Sequence, residues 1–279
     1  MIRIITDSTC DLRPALRESL GVEVVPLAVH FGEEIFRDGV DITNEEFYSR
    51  LSRVETLPTT SQVNPEAFAE RFQAYVDQGD QVLGIFISSA LSGTYQSAVI
   101  AKDMVGTGEI HLVDSRTTTF ALALLVERAA RLRDEGRSAG EIAETVTALL
   151  RRTRLLAVVD TLKYLKMGGR INAATAVVGG LLGITPIITI ENGIVEAVGK
   201  ARGRKAAFQW MEKFMEGEAP DLSLPVAFGS SNAPDAMAEC REFFLKIIGD
   251  TPYLECDIGS VVGAHAGPGA TGIVYFTKK

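Results

Sequence analysis

The stretch QVLGIFISSALSGTYQSA, residues 81–98, sets the fold class. Residues 81–87 form a short apolar run of the kind that builds a strand buried on both faces. Residues 88–98 then supply four serines, a threonine, a tyrosine and a glutamine without a single charge, and lead into a helix from about Ser92. A buried strand passing through a tight loop into a helix is half of a βαβ unit. The same alternation extends on both sides. Residues 2–6 read as a strand, 11–20 as a helix stopped by Gly21, and 22–31 as extended chain. Thr43 and Glu46 form a capping box for a helix through Leu51. Asn64 and Pro65 read as the N-cap and first residue of the next helix. A strand over 110–113 and two long helices over 118–135 and 138–152 complete this half. The order implies a mostly parallel sheet with helices on both faces.

Around residues 155–161 the pattern changes. Residues 171–190, INAATAVVGGLLGITPIITI, carry no charge, and their length invites a membrane reading. Three glycines and Pro186 interrupt them, and PIITIENGIVEAV reads as a hairpin about the turn 191–193. A buried helix followed by a strand is the expectation, without stable membrane insertion. A helix near 204–216, the strand PVAFGS, a helix near 234–248 and the strands YLECDI and TGIVYF follow. The fold class is therefore α/β with two domains. Residues 1–160 form an N-terminal α/β domain with a parallel sheet; residues 161–279 form a C-terminal α/β domain with a mixed sheet, because a tight hairpin needs antiparallel neighbours.

Composition narrows the function. Of 279 residues 46% are hydrophobic and 23% charged, which supports a globular core. A net charge of −8 without a basic arm argues against nucleic acid as partner. Three cysteines, Cys10, Cys240 and Cys256, stand far apart with no C-x-x-C, which points to buried thiols in a reduced compartment and to no metal site. The start, MIRIITDSTCDL, lacks a long apolar signal core, and the expected location is cytoplasmic.

Five motifs carry the candidate chemistry. Ser92, followed by Gly93, lies at a strand-to-helix turn, where free N–H groups favour an anion. PTTSQ, residues 58–62, is a second hydroxyl-rich loop before a helix and contains Thr60 and Ser61. Either loop also suits a plain helix cap. HAGPGATG, residues 265–272, matches G-x-G-x-x-G, but a strand follows where a dinucleotide site needs a helix. Its glycines instead suggest a tight turn or close backbone approach beside His265. His30 and His111 lie in or beside apolar strands and read as structural. In KMGGRI, Arg170 follows two glycines; its planar fork suits a carboxylate or phosphate, and a surface arginine after a glycine cap is the plain alternative. Arg202 and Arg204 in KARGRKAA form a basic cluster suited to an acidic partner or to a solvated helix start. Phosphate-loop, nucleophile-elbow and metalloprotease patterns are missing. Ser92 with His265 leaves a serine hydrolase or acyltransferase acting on lipids open, with no third group assignable.

In this order along nearly the whole chain, TDSTCDL, PTTSQ, SSALSGTYQSA, VDS, DTLKYLKMGGRI, LLGITPIITIENG and GSVVGAHAGPGATGIVY resemble the DegV family, which includes the fatty-acid-binding B subunits of bacterial fatty acid kinase. The resemblance implies two α/β domains, and a long-chain fatty acid as bound ligand without a further cofactor. It implies an acyl tunnel and a separate kinase subunit that supplies ATP and metal to make an acyl phosphate, so that this chain is no enzyme alone. Carried over, Thr60 and Ser92 bind the carboxyl group. His265 and Arg170, with Ser61 and Gly93, belong to the same polar cluster or to the kinase-facing side, and Arg202 and Arg204 to partner docking. The chain departs from the family pattern at Val63, Met167, Asn172, Ala173 and Gly203, which bears on the kinase-facing surface. Hydroxyls hold a carboxyl group without locking it in a deep ion pair, which suits a group that must later attack a phosphate.

Overall fold

The computed structural model describes residues 1–171 and 183–278. The N-terminal half runs β1 (Ile2–Asp7), a 3-10 turn (Ser8–Cys10), α1 (Pro14–Ser19), β2 (Val22–Val25), β3 (Ala28–Phe31), β4 (Glu34–Arg37), α2 (Asn44–Leu51), β5 (Thr59–Ser61), α3 (Pro65–Asp77), β6 (Gln81–Phe86), α4 (Thr94–Val105), β7 (Ile110–Asp114), α5 (Thr119–Asp134) and α6 (Ala139–Leu150). The rest runs β8 (Thr153–Val158), α7 (Lys163–Met167), β9 (Ile184–Glu191), β10 (Ile194–Arg202), α8 (Arg204–Gly217), β11 (Val226–Ser230), α9 (Pro234–Ile248), β12 (Tyr253–Asp257), α10 (Ser260–Ala266) and β13 (Thr271–Phe276).

Strands β2-β1-β6-β7 form a four-stranded, all-parallel sheet. Helices α3 and α4 cover one face, α5 and α6 the other. The second sheet, β10-β9-β8-β13-β11-β12, is mixed: only β11 and β12 run parallel. Its hairpin closes through Asn192 and Gly193, both at positive φ (52° and 84°), as a two-residue hairpin turn requires. Helices α8 and α9 lie on its outer face, and α5 lies on its inner face.

Helix α5 therefore belongs to both sheets. Twelve of its sixteen residues are buried, and its sequence TFALALLVERAARLRD is apolar on nearly every side over the first turns. One apolar cluster runs from Ile4, Leu83 and Ile85 through Leu122 and Leu125 to Ala227 and Val274.

Several boundaries differ from the sequence reading. Strand β8 precedes the expected boundary near residue 160, yet it pairs with β9 and β13 in the second sheet. The extended stretch 22–31 is two strands in two sheets, since Pro26 has no N–H to continue the ladder. Strand β3 instead joins a small antiparallel sheet, β4-β3-β5, so PTTSQ is partly strand rather than loop. Helix α1 starts at Pro14, and Asp11 is a buried left-handed residue (φ 51°) outside it. The helix expected after residue 171 falls on residues outside the described ones, as do Asn172 and Ala173. The three cysteines are free and buried.

Because one helix core serves both sheets, Leu125→Ala should cost about 2–5 kcal/mol, the usual range for a buried leucine. Both halves should still melt in one transition. Differential scanning calorimetry that resolves two separated transitions, one of them unshifted, would show that the halves are independent.

Candidate functional site

A cavity of about 380 Å³ lies between the two sheets at the start of α5, which contributes Thr118, Thr119 and Phe120 to its wall. Strands β8 and β9 present Leu155, Ala157, Ile188 and Ile190 to it on alternate positions. Helix α10 adds Val261 and Val262. Most of the wall is aliphatic.

The polar part includes every residue singled out from sequence for the carboxyl group and its polar cluster. Thr60, Ser61, Ser92, Gly93, Arg170 and His265 all border this cavity. Thr60 projects from edge strand β5, and its Oγ1 lies 2.9 Å from His265 Nε2 on α10. Ser92 is one residue before the cap of α4, which is Gly93; its Oγ accepts from Thr94 N–H at 3.3 Å and pairs with Thr94 Oγ1 at 3.0 Å. Gly93 is required by a close approach: a Cβ there would fall 1.9 Å from Gln62 Oε1. Gln62, which also borders the cavity and donates to Ser97 Oγ at 3.0 Å, was not singled out from sequence, although it is the last residue of PTTSQ. Ser61 Oγ pairs with His30 Nε2 at 2.8 Å, and His111 pairs with Glu109, so both of these histidines have local partners.

Arg170 is held by two backbone carbonyls. It donates to Gly168 O at 2.6 Å and to Leu91 O at 3.4 Å, and among the described residues no carboxylate pairs with it. Burial, reinforced by the nearby Arg170 charge, pushes His265 down to about 4. At neutral pH the site therefore holds one guanidinium charge, a neutral imidazole and several hydroxyls. This arrangement can receive an anion and hydrogen-bond it. A hydrolase triad would pair the histidine with the serine, whereas here His265 Nε2 meets Thr60 rather than Ser92, and among the described residues Nδ1 has no hydrogen-bond partner.

Arg202 and Arg204 stand apart. Val195 of β10 borders the cavity, whereas Arg202 ends the same strand seven residues on, about 23 Å away at 3.3 Å per residue. Arg202 is exposed; Arg204 is tied to Glu239 at 3.2 Å. The glycines of HAGPGATG link α10 to β13, with Gly267 and Gly269 at positive φ (73° and 87°), so the segment is a turn into a strand and not a dinucleotide loop. Among the described residues, no group of three or more His, Cys, Asp or Glu is placed to hold a metal ion, and no helix is long and apolar enough to cross a membrane.

The low position of His265 has a consequence for stability. Unfolding returns it to about 6.5, so the unfolded chain gains its proton first as pH falls. The contribution is complete above about pH 6.5 and is lost towards pH 4, roughly 3 kcal/mol in all at 1.36 kcal/mol per unit. In denaturant titrations the wild type should therefore lose roughly 3 kcal/mol more stability than His265→Gln as pH falls from 6.5 to 4. Parallel profiles would mean that burial leaves the imidazole of His265 at its ordinary value in the folded protein.

Comparison with known proteins matches this architecture. A family model described as "uncharacterised protein, DegV family" covers residues 1–278. A DegV domain-containing protein of Caldanaerobacter subterraneus is 38% identical over 279 residues, covering 100% of this chain and 99% of the relative. Among solved structures, a DegV family protein of Thermus thermophilus, reported for its fatty acid binding, superposes with a TM-score of 0.89 at 35% identity, covering 99% of both chains. A stearic-acid-binding protein of Eubacterium ventriosum superposes with a TM-score of 0.88 at 32% identity, covering 100% of this chain and 99% of that one. The chain, matched along practically its whole length, belongs to the DegV family.

Proposed function

We propose that this protein binds a long-chain fatty acid in the cavity between its sheets, with the carboxyl group at Thr60, Ser92, His265 and Arg170. The observation that carries the reading is an aliphatic cavity bordered in one region by hydroxyls and by a guanidinium that has no carboxylate partner among the described residues. The fatty acids reported for the Thermus and Eubacterium relatives support it. Burying each methylene contributes roughly 0.8 kcal/mol, so fourteen give about 11 kcal/mol before the costs of association. The tail thus supplies affinity. The carboxyl end supplies orientation, at about 1.5–3 kcal/mol per hydrogen bond to a charged group.

In this reading the chain is a carrier and no enzyme by itself. A separate kinase subunit brings ATP and metal, and a carboxylate oxygen attacks the terminal phosphorus to form an acyl phosphate while ADP leaves. Hydroxyl ligands and a single cation suit that step, because the carboxylate keeps an oxygen lone pair free. Exposed Arg202 is the docking contact for the kinase, with Arg204 beside it partly engaged by Glu239.

Denaturing mass spectrometry of the purified protein should release a stoichiometric fatty acid, and delipidated protein should bind palmitate. Neither lipid nor palmitate binding would end the proposal. Ser92→Ala and Thr60→Ala should each weaken palmitate binding by about tenfold or more, following the hydrogen-bond increment above, without a matching loss of thermal stability. Arg170→Ala should slow kinase-dependent acyl-phosphate formation; unchanged turnover would make Arg170 structural. Fluorophosphonate labelling of Ser92 would instead favour the hydrolase reading.

A further inference from the structure

Helix α10 forms one wall of the cavity and carries His265, and it is held from its first turn by two buried carboxylates. Gly259 N–H donates to Asp11 Oδ1 at 2.9 Å. Ser260 donates to Asp38 Oδ1 twice, through N–H at 3.0 Å and Oγ–H at 2.6 Å. The Ser8 hydroxyl and the Val261 N–H lie close enough to favour the charged form of Asp38, against the burial that raises it. The second oxygen of Asp11 accepts from Thr119 Oγ1 at 2.6 Å, which ties the same knot to the start of α5. Asp38 is 6% exposed and Asp11 9%. There is no slack between them: a Cβ on Gly259 would lie 3.0 Å from Asp11 Oδ1 and 3.1 Å from Asp38 Oδ1.

The rest of the helix is seated just as closely. Gly263, one turn on, faces Tyr48 and Phe47; a Cβ there would meet the Tyr48 hydroxyl at 2.6 Å. Gly267 faces the Tyr164 ring, where a Cβ would come within 2.3 Å. Gly263 and Gly267 thus let the helix seat closely on aromatic side chains without interlocking with them, while Gly259 seats against the two aspartates. A smooth glycine face does not set the axial position of a helix. The hydrogen bonds at its first turn do. From Ser260 to His265 the helix rises about 8 Å, so a displacement at the start is carried to the Thr60–His265 contact.

Ser260 meets Asp38 with two donors, and the carboxyl group of Asp11 lies beside it. A carboxylate accepts at every position; an asparagine would turn its NH2 against an N–H or O–H. We propose that Asp38, with Asp11 beside it, is a positioning residue for the carboxyl end of the cavity: by fixing the first turn of α10 it sets His265 against Thr60. This rests on the fatty-acid reading above.

The test compares palmitic acid with methyl palmitate, which share a tail and differ at the head. Wild type should prefer the acid. Asp38→Asn should cut that preference at least tenfold while ester affinity stays within twofold. Ser260→Ala, which removes one hydroxyl donor to Asp38 and nothing from the cavity wall, should cut it at least threefold. In a His265→Ala background Asp38→Asn should cause no further loss, because both changes remove the same contact. Equal weakening of acid and ester, an intact preference, or additive losses with His265→Ala would overturn the proposal. If Asp38→Asn does not fold, Ser260→Ala decides alone: a threefold loss of preference supports the assignment and an unchanged preference refutes it. Wild type that binds neither ligand, or both equally, would fail at the fatty-acid reading and take this inference with it.

Discussion

A helix that is apolar on nearly every side has to be enclosed, and the enclosure of Thr119–Asp134 organises this molecule. The parallel sheet supplies one wall and the mixed sheet the other. On that side the parallel sheet packs on α5 with α6 beside it, and the mixed sheet packs on α5 from the opposite direction. The cavity forms where this enclosure is incomplete, at the first turn, between Phe120 and the aliphatic faces of β8 and β9. Its apolar lining is thus an extension of the same core.

The polar end follows a different logic. His265 is kept neutral by burial next to Arg170, and the surrounding groups are hydroxyls and an amide. Such a site offers one charge and many adjustable hydrogen bonds, a set that can orient an anion without enclosing it in a rigid ion pair. Its parts come from elements far apart in the chain. Thr60 lies on an edge strand, Ser92 before α4, Arg170 after α7 and His265 on α10. A site assembled this way needs its elements held in register, and buried Asp7, Asp11 and Asp38 do this over the strand and helix ends. Asp7 accepts from Ile87 N–H at 2.7 Å, and burial raises it to about 6 although three hydrogen bonds oppose the shift. These buried carboxyl groups are met by N–H and O–H donors, a directional arrangement that fixes backbone positions.

Much of this was legible in the sequence because it depends on local chemistry. The capping box at Thr43 and Glu46, the Asn64–Pro65 helix start and the Asn192–Gly193 turn occur as read. Other features were not legible because they depend on partners distant in the chain. Thr59–Ser61 became a strand only because β3 left the first sheet at Pro26 and offered it an edge. Strand β8 was assigned to the first half by its place in the chain, yet its pairing with β13 comes from more than a hundred residues away. Asp11 read as the start of a helix, but its side chain is spent on Gly259 and Thr119.

What the sequence by itself determined is most of the longer helices and strands and the chemical character of the site. Hydrophobic period, caps and turn residues act over a few residues, and the uncharged hydroxyl loops declare their polarity directly. What only the tertiary structure decided is which loops meet, which histidine faces Thr60, and that both sheets close on one helix. Those outcomes depend on contacts 80 to 250 residues apart, such as Asp7 with Ile87 and Asp11 with Gly259, whose geometry no local pattern encodes.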